Sequence, residues 1–257
     1  MTGDDHVLAR DLAGQAGQRL LELRAQGGDP DVLRKAGDRL SHEFLTAALA
    51  GQRPGDVVLS EEGADNPARL GARRVWIVDP LDGTREFGEP GRSDWAVHVA
   101  LWEKGDVSGP GDLTAGAVAL PAQGMVLSTA EPPPGPPGDE APDRIRIVVS
   151  RSRPPGFVRN ISGLINAELV PLGSAGAKVA AVICGEVDAY VHGGGFYEWD
   201  TAAPVAVARA AGLHASRIDG SALAYNQPDL LMPDILVCRP AVAGILLRAI
   251  REVTHAS

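Results

Sequence analysis

Apolar positions recur with two different periods in the first part of the chain. Apolar side chains return about every 3.6 residues in residues 4–26 and again in residues 31–50, which predicts two amphipathic helices. Short β-branched or alternating segments follow at residues 57–59, 74–78, 95–101, 115–120 and 125–129. Because the later segments follow one another closely, they predict strands joined as antiparallel meanders. Two helices followed by several strands are typical of an α+β fold.

The pattern changes in the second part, where predicted strands and helices alternate. The predicted strands lie at residues 146–150, 168–172, 187–192, 213–215 and 235–238. The predicted helices lie at residues 156–166, 175–184, 201–211 and 241–254. Such alternation is typical of an α/β fold. Between the two parts, residues 131–143 contain six prolines and predict a loop. This loop is the predicted seam between an N-terminal α+β domain, residues 1–143, and a C-terminal α/β domain, residues 144–257.

Composition and charge exclude several classes of protein. The 257 residues are 44% hydrophobic and 22% charged, which is ordinary for a globular chain. The net charge of −9 argues against a nucleic acid polymer or an anionic membrane as the main partner. No apolar run reaches the ~18 residues that a membrane span needs. The acidic N-terminus lacks the pattern of a signal peptide, so we expect a cytoplasmic protein.

Three acidic groups stand next to predicted element ends. Glu61 and Glu62 follow the strand at residues 57–59, and Asp79 and Asp82 follow the next one. Asp200 immediately precedes the helix at residues 201–211. Carboxylates at strand ends point into a shared crevice, where they would repel one another unless a hard divalent cation such as Mg²⁺ bound them. The sequence therefore predicts a metal site, although a single acidic residue is usually just a solvated surface charge.

The turn around the second acidic group adds a phosphate site to this hypothesis. Pro80 and Gly83 predict a sharp turn, so that the two aspartates bind from one side with the Leu81 carbonyl between them. Gly83 and Thr84 then present backbone N–H groups at a predicted helix start, which suits a phosphate.

Three motifs carry a family resemblance. Residues 79–84, Asp-Pro-Leu-Asp-Gly-Thr, resemble the first signature of the inositol monophosphatase superfamily, the lithium-sensitive, magnesium-dependent phosphatases. Residues 199–203, Trp-Asp-Thr-Ala-Ala, are similar to the second signature, and residues 60–62, Ser-Glu-Glu, to the upstream glutamate pair. The resemblance implies a layered αβαβα sandwich of the sugar phosphatase type, usually a homodimer. It also implies two to three Mg²⁺ ions at each active site and phosphate ester hydrolysis by a metal-activated water.

Within this superfamily the chain is most similar to the CysQ branch, the 3′(2′),5′-bisphosphate nucleotidases. The similarity rests on Leu81, on residues 85–87 (Arg-Glu-Phe), and on Gly173 and Ser174 followed by Lys178. Residues 95–98 and 173–178 resemble the actinobacterial version, which is associated with sulfate assimilation. The implied reaction removes the 3′-phosphate of 3′-phosphoadenosine 5′-phosphate to give AMP. The alternatives are an inositol 1-phosphate or fructose 1,6-bisphosphate phosphatase and, more remotely, a non-catalytic ligand-binding protein.

The resemblance also assigns roles to individual residues. The implied metal ligands are Glu61, Asp79, the Leu81 carbonyl, Asp82 and Asp200. The implied catalytic residues are Asp38, Thr84 and Glu61: Asp38 and Thr84 deprotonate the attacking water, and Glu61 holds a third Mg²⁺ beside it. The predicted phosphate and substrate contacts are Gly83, Thr84, Arg151, Ser174, Lys178 and Glu198. His98 and His192 lie in apolar, strand-like stretches, and we expect both to pack in the interior.

Overall fold

The computed structural model of the chain describes residues 4–105, 110–136, 140–152 and 154–255. These residues form helices and strands that pack in alternating layers. The helices are α1 (Asp5–Ala25), α2 (Pro30–Gln52), α3 (Thr84–Gly88), α4 (Gly156–Ile165), α5 (Ala175–Ile183), α6 (Glu198–Ala210) and α7 (Pro240–His255). The strands are β1 (Val57–Ser60), β2 (Arg74–Asp82), β3 (Ala96–Glu103), β4 (Asp112–Leu120), β5 (Met125–Ser128), β6 (Arg146–Ser150), β7 (Glu168–Leu172), β8 (Ala189–His192), β9 (Phe196–Tyr197), β10 (His214–Ser216), β11 (Leu231–Met232) and β12 (Ile235–Cys238). Two short 3₁₀ helices span Pro67–Gly71 and Pro121–Gln123.

The strands form two five-stranded sheets and one small pair. The first sheet has the order β1-β2-β3-β4-β5, and only β1 and β2 run parallel. The second sheet has the order β10-β12-β8-β6-β7 and mixes parallel with antiparallel pairs. The small pair is β9 with β11.

Helices and sheets stack in five layers, and three apolar cores fill the spaces between these layers. The first core fills the space between α1, α2 and the first sheet, and it includes Leu12 and Trp76. The second lies around α5 and α6, between the two sheets, and includes Val205. The third lies between the second sheet and helices α4 and α7, and it includes Ile161. The layered αβαβα arrangement expected from the family resemblance is therefore confirmed.

The two N-terminal helices begin where their sequence provides a cap. The side chain of Asp4 accepts a hydrogen bond from the backbone N–H of His6, and the α1 helix follows. Asp29 does the same for two backbone N–H groups of α2, and Pro30 occupies the first position of that helix. A capping carboxylate satisfies backbone donors that would otherwise lack a partner, and the fixed φ of proline suits this position.

Strand pairing brings the motifs together. Because β1 runs parallel to β2, with Ser60 beside Val78, the chain leaves both strands at the same edge, and Glu61 comes next to Asp79. On the other side of β2, Asp79 is paired with His98 of antiparallel β3. Paired residues of an antiparallel ladder project from the same face of the sheet. That face carries α5 and α6.

Two local predictions are wrong in detail, and two short strands were missed. Strand β2 continues through Asp82, with a register shift between Asp79 and Asp82, and the chain turns at Gly83, whose φ is 82°. The turn expected from Pro80 and Gly83 is therefore present at Gly83 and absent at Pro80. A proline is tolerated in the strand because the ladder is interrupted there. Helix α6 begins at Glu198, so Asp200 lies in its first turn. Strands β9 and β11 were not predicted, since two-residue strands show no periodicity.

Along the chain, the predicted seam at residues 131–143 separates the last strand of the first sheet, β5, from β6 of the second sheet. Its described residues, 131–136 and 140–143, form no helix or strand. Helices α5 and α6, which follow the seam, contact β3 and β4, which precede it. The division into two domains stays a prediction. Among the described residues, no helix combines the length and the apolar character that crossing a membrane requires.

Candidate metal centre and active site

Three aspartates meet at the edge where β2 ends and α6 begins. Carboxylate oxygens of Asp79, Asp82 and Asp200 all lie within 4.8 Å of one another. Asp79 is 1% and Asp82 6% exposed. Burial, followed by repulsion from Glu61 and the other two aspartates, raises the pKa of Asp79 well above its usual range. Burial and the charge of Asp82 likewise raise the pKa of Asp200. The cluster thus concentrates more negative charge than its surroundings neutralise.

Asp82 differs from the other two because α5 holds it. Its Oδ2 accepts hydrogen bonds from Ser174 Oγ at 2.5 Å and from the Gly176 N–H at 2.6 Å, and its Oδ1 accepts one from the Ala175 N–H at 3.1 Å. Burial alone would raise the pKa of Asp82, but His98, Lys178 and the Ser174 hydroxyl lower it to about 2. The start of a helix stabilises a carboxylate in this way because its N–H groups point outward. Asp82 is therefore a fixed anion.

Glu61 completes the acidic group from the β1 side. Glu61 as a whole is exposed, but its carboxyl group lies within hydrogen-bond distance of Asp79. Desolvation beside the cluster and repulsion from Asp200 raise the pKa of Glu61 to about 7. The side chain of Asp79 also accepts a hydrogen bond from the backbone N–H of Leu81 at 3.0 Å. This bond holds Leu81, whose carbonyl is an implied metal ligand, in place between Asp79 and Asp82.

Thr84 and Asp38 form a second polar group beside the cluster. Thr84 Oγ1 lies 3.2 Å from Asp38 Oδ1 and 3.0 Å from the Leu81 carbonyl oxygen, and its single proton can go to only one of them at a time. Burial and the charge of Glu62 raise the pKa of Asp38 to about 6. The structure thus brings together the two residues that the family resemblance paired, although they are separated by most of α2, β1 and β2.

Two cavities open next to the cluster. One of about 450 Å³ has Asp82 and Asp200 on one side and Phe157 and Tyr190 on the other. The second, of about 500 Å³, is lined by Thr84 and Arg151 among others. The cavities share Gly83, Ser150, Ser174 and Lys178. A molecule in the first cavity would contact Asp82 and Asp200, and the shared residues connect that cavity with the second.

Lys178 is buried between these cavities. It is 5% exposed, so it is not a solvated helix charge. Its Nζ donates to the carbonyl oxygens of Gly173 at 3.1 Å and Ser174 at 2.5 Å, and it lies 5.4 Å from the centre of the Tyr190 ring. Burial lowers its pKa. Two of its three N–H donors go to carbonyls, so one donor remains for a group in the cavities.

The other predicted substrate residues are engaged with protein groups. Arg151 lies at the second cavity, where its Nη2 donates to Glu86 at 2.7 Å and to Glu89 at 3.2 Å. Glu198 shares helix α6 with Asp200, but its carboxylate accepts the backbone N–H groups of Asn226 at 2.6 Å and Gln227 at 2.7 Å. The structure therefore does not place the Glu198 carboxylate in the cluster.

The Glu198 contacts belong to a buried network. Arg69, 1% exposed, donates to the Asn226 side chain at 2.9 Å and to the Gln227 carbonyl at 2.9 Å. Asn226 in turn donates to the Arg69 carbonyl at 3.1 Å. The segment at residues 226–227 is thus held between the 3₁₀ helix Pro67–Gly71 and the first turn of α6, which carries Asp200.

The chemistry of the cluster fits a hard divalent cation. It offers carboxylate oxygens and a nearby backbone carbonyl, which are the ligands that Mg²⁺, Mn²⁺ and Ca²⁺ take. Among the described residues, no basic side chain other than the buried His98 lies within ion-pair distance of Asp79 or Asp82. Burial, followed by repulsion from neighbouring carboxylates, raises the pKa values of Asp79 and Asp200, and a bound cation would offset that repulsion.

Sequence comparison identifies the family of the chain. The sequence model of the Inositol monophosphatase family matches residues 8–255. The chain belongs to the inositol monophosphatase family. This is a family of metal-dependent phosphatases, and the chain is a phosphoric monoester hydrolase of that family. The resemblance inferred from residues 60–62, 79–84 and 199–203 is thereby confirmed.

Individual relatives and solved structures agree with this assignment. A Mycobacterium leprae protein named 3′-phosphoadenosine 5′-phosphate phosphatase is 51% identical over 255 residues, covering 97% of this chain and 94% of the relative. The 3′(2′),5′-bisphosphate nucleotidase CysQ of Escherichia coli K12 is 32% identical, covering 84% and 91%. Inositol monophosphatase II of Staphylococcus aureus shares the fold with a TM-score of 0.81 at 22% identity, over 97% and 96%. CysQ of Bacteroides thetaiotaomicron gives 0.77 at 27% identity, over 91% and 97%.

Sequence reasoning missed one residue beside the metal centre, His98. Its burial was expected and is confirmed, at 0% exposure. However, its Nε2 lies 3.2 Å from Asp82 Oδ2 and its Nδ1 lies 3.1 Å from the Trp199 carbonyl oxygen. A histidine alternating with small apolar residues in a strand was the available signal, because such a buried ring needs polar partners.

Proposed function

We propose that this inositol monophosphatase family member is a Mg²⁺-dependent phosphatase that removes the 3′-phosphate of 3′-phosphoadenosine 5′-phosphate, giving AMP and inorganic phosphate. The chemistry rests on the cluster of Asp79, Asp82 and Asp200, whose carboxylate oxygens lie within 4.8 Å. The choice of substrate is supported by the 51% identity to the Mycobacterium leprae phosphatase over nearly the whole chain. The two cavities that meet at Lys178 leave room for a substrate larger than a single phosphate.

We assign two to three Mg²⁺ ions to this site. The proposed ligands are Glu61, Asp79, the Leu81 carbonyl, Asp82 and Asp200, which converge from β1, β2 and α6. Bound divalent cations supply positive charge for the phosphoryl oxygens and lower the pKa of water. The chain contributes by holding the ligands in advance, since Asp82 is already fixed by three donors from the start of α5.

Thr84 and Asp38 are the proposed base for the attacking water. The Thr84 hydroxyl donates to Asp38, so its oxygen can accept a proton from water while its own proton passes to the carboxylate. Asp38 is suited to receive it because burial raises its pKa to about 6, close to neutral. The Gly83 and Thr84 N–H groups are the proposed cradle for the reacting phosphate.

The rest of the substrate is proposed to occupy the two cavities. Lys178, between them, is the proposed partner of a substrate phosphate, and Ser174 positions both Lys178 and Asp82. Arg151 borders the second cavity, where it would have to exchange a contact with Glu86 or Glu89 for the anion. A homodimer and inhibition by Li⁺ are further proposals that rest on the family resemblance alone. The cytoplasmic location stays the expectation stated from the sequence.

A substrate panel tests the proposed reaction. Phosphate release is measured with Mg²⁺ for 3′-phosphoadenosine 5′-phosphate, inositol 1-phosphate and fructose 1,6-bisphosphate. We expect kcat/KM to be at least about tenfold higher for the bisphosphate nucleotide than for inositol 1-phosphate, since a well-formed contact to the second phosphate is worth about 1.5–3 kcal/mol. Fructose 1,6-bisphosphate also carries two phosphates, so a preference over it would show that the adenosine is recognised. A tenfold preference for either sugar phosphate would assign the chain to that substrate instead. No turnover of any of the three would favour the non-catalytic alternative.

Removing the Thr84 hydroxyl tests the proposed base. Thr84→Val keeps the size of the side chain, and we expect kcat to fall by roughly 10²–10⁴-fold, the usual contribution of general acid–base catalysis. Thr46→Val is the matched control, because Thr46 Oγ1 bonds the His42 carbonyl on α2 at 2.7 Å, away from the cavities. An unchanged kcat in Thr84→Val would remove Thr84 from the mechanism.

A further inference from the structure

His98 lies where the ligands of two elements meet. It projects from β3 opposite Asp79 of β2, on the face of the first sheet that packs against α5 and α6. Its ring is completely buried. The side chain is not part of the lining of either cavity.

The ring touches one acceptor on each side. Nε2 lies 3.2 Å from Asp82 Oδ2, and Nδ1 lies 3.1 Å from the carbonyl oxygen of Trp199. Asp82 is a proposed ligand from β2, whereas Trp199 immediately precedes Asp200, the proposed ligand from α6. The Trp199 carbonyl is an acceptor, so Nδ1 can donate to it. Nε2 faces the Asp82 carboxylate at ion-pair distance and makes no hydrogen bond to any described residue. The imidazole thus spans the distance between the two ligand-bearing elements.

Gly176 makes room for this ring. A Cβ at position 176 would lie 2.1 Å from His98 Nε2, closer than any real contact. The N–H of Gly176 also donates to Asp82 Oδ2 at 2.6 Å, on the same oxygen that the ring approaches. The start of α5, Asp82 and His98 are therefore packed as one unit, and a larger residue at position 176 would displace the imidazole.

We propose that His98 is a positioning residue of the metal centre: by bridging Asp82 and the Trp199 carbonyl, it holds the ligands of β2 and α6 at the spacing that the metal requires. The inference rests on the proposed function, since it presupposes a metal at the cluster. Groups that orient metal-binding carboxylates typically change metal affinity by about 10–100-fold when they are removed.

Two substitutions separate the two contacts. His98→Gln places an amide N–H near the position of Nε2 and keeps a donor for Asp82, whereas His98→Asn places one near Nδ1 and keeps a donor for Trp199. Metal affinity is measured without turnover, as the dissociation constant of Mn²⁺ followed by electron paramagnetic resonance on folded protein. We expect each variant to bind Mn²⁺ on the order of 10-fold more weakly, and His98→Ala up to about 100-fold.

A double-variant cycle tests the packing of the unit. Gly176→Ala alone should weaken Mn²⁺ binding, because the added methyl displaces the ring. The shorter side chain of His98→Asn relieves that collision, so Gly176→Ala should cost much less affinity in the His98→Asn background. His214→Asn is the control, because His214 contacts Ser216 on β10 of the second sheet.

Each result distinguishes this inference from the proposed metal centre. If the unaltered protein binds no Mn²⁺, the metal centre itself is wrong. If it binds Mn²⁺ and the folded His98→Gln, His98→Asn and His98→Ala variants bind equally well, His98 serves only to fill the interior. Additive losses for Gly176→Ala and His98→Asn would also contradict the proposed unit.

Discussion

Replacing Asp79 by asparagine is expected to abolish phosphate release and, at the same time, to stabilise the metal-free protein. Asp79 is 1% exposed, and burial together with the charges of Glu61, Asp82 and Asp200 raises its pKa. Asparagine keeps the acceptor for the Leu81 N–H and removes the repulsion. Metal ions contribute several kcal/mol to such reactions, so kcat should fall by on the order of 10³-fold or more.

The stability of Asp79→Asn is measured by thermal unfolding in the presence of a chelator. Relief of about 1 kcal/mol of repulsion would raise Tm by roughly 2–4 °C in a chain of this size. Destabilised active sites commonly show this exchange of activity for stability. A fall in Tm would mean that the Asp79 carboxylate stabilises the metal-free fold, and retained turnover would exclude it as a ligand.

Asp234→Asn is the matched control for Asp79→Asn. Asp234 is also buried, but its oxygens accept hydrogen bonds from the Arg217 side chain at 2.8 and 2.6 Å and from the Ile218 N–H at 2.8 Å. Removing the charge of Asp234 weakens its hydrogen bonds to the Arg217 guanidinium and should lower the free energy of unfolding by about 1.5–3 kcal/mol. The two variants should therefore change in opposite directions: Asp234→Asn loses stability and keeps its activity.

Removing the metal should have an equally large effect. With excess chelator, phosphate release should fall to the rate without enzyme, and added Mg²⁺ should restore it, because Asp79, Asp82 and Asp200 alone repel an anionic substrate. At a hundredfold excess over its Kd, a bound ion stabilises the fold by about 2.7 kcal/mol, so Tm should rise by roughly 5–10 °C. Calorimetry with and without Mg²⁺ measures this shift.

The same titration in Asp79→Asn locates the bound ion. The rise in Tm with Mg²⁺ should be largely lost in this variant and retained in Asp234→Asn. If Mg²⁺ raises the Tm of all three proteins equally, the ion binds outside the aspartate cluster. Full activity after complete chelation would reject a metal mechanism for this chain.

Most of the fold could be predicted from local patterns. The helix of residues 4–26 appears as α1 and the strand of residues 146–150 as β6, because each has a clear period and a clear boundary. The elements that the patterns did not predict correctly are short or depend on partners distant along the chain. Strand β9 exists only because Phe196 and Tyr197 pair with Met232 and Leu231. Strand β2 continues past Pro80 because β3 supports it on both sides of the register shift.

Some residues of the candidate site could likewise be recognised from the sequence, and others could not. Asp79, Asp82 and Thr84 could be recognised because they lie within six consecutive residues, and their spacing carries the chemistry. His98 could not be recognised, because its contact with Asp82 depends on pairing between β2 and β3 and on the docking of α5. Glu198 shows the opposite case: adjacency to Asp200 along the chain did not place its carboxylate in the cluster.

The sequence alone was sufficient for the family, the order of the elements and the identity of the acidic residues, since these depend on residue type and on spacing over short segments. Tertiary structure decided which partner each side chain meets: Asp82 with the start of α5, His98 between Asp82 and Trp199, and Glu198 with the segment at residues 226–227. The reason is physical. Burial turns an unpaired polar group into a large cost, so its partner is chosen from the residues that folding brings near, and these are distant along the chain.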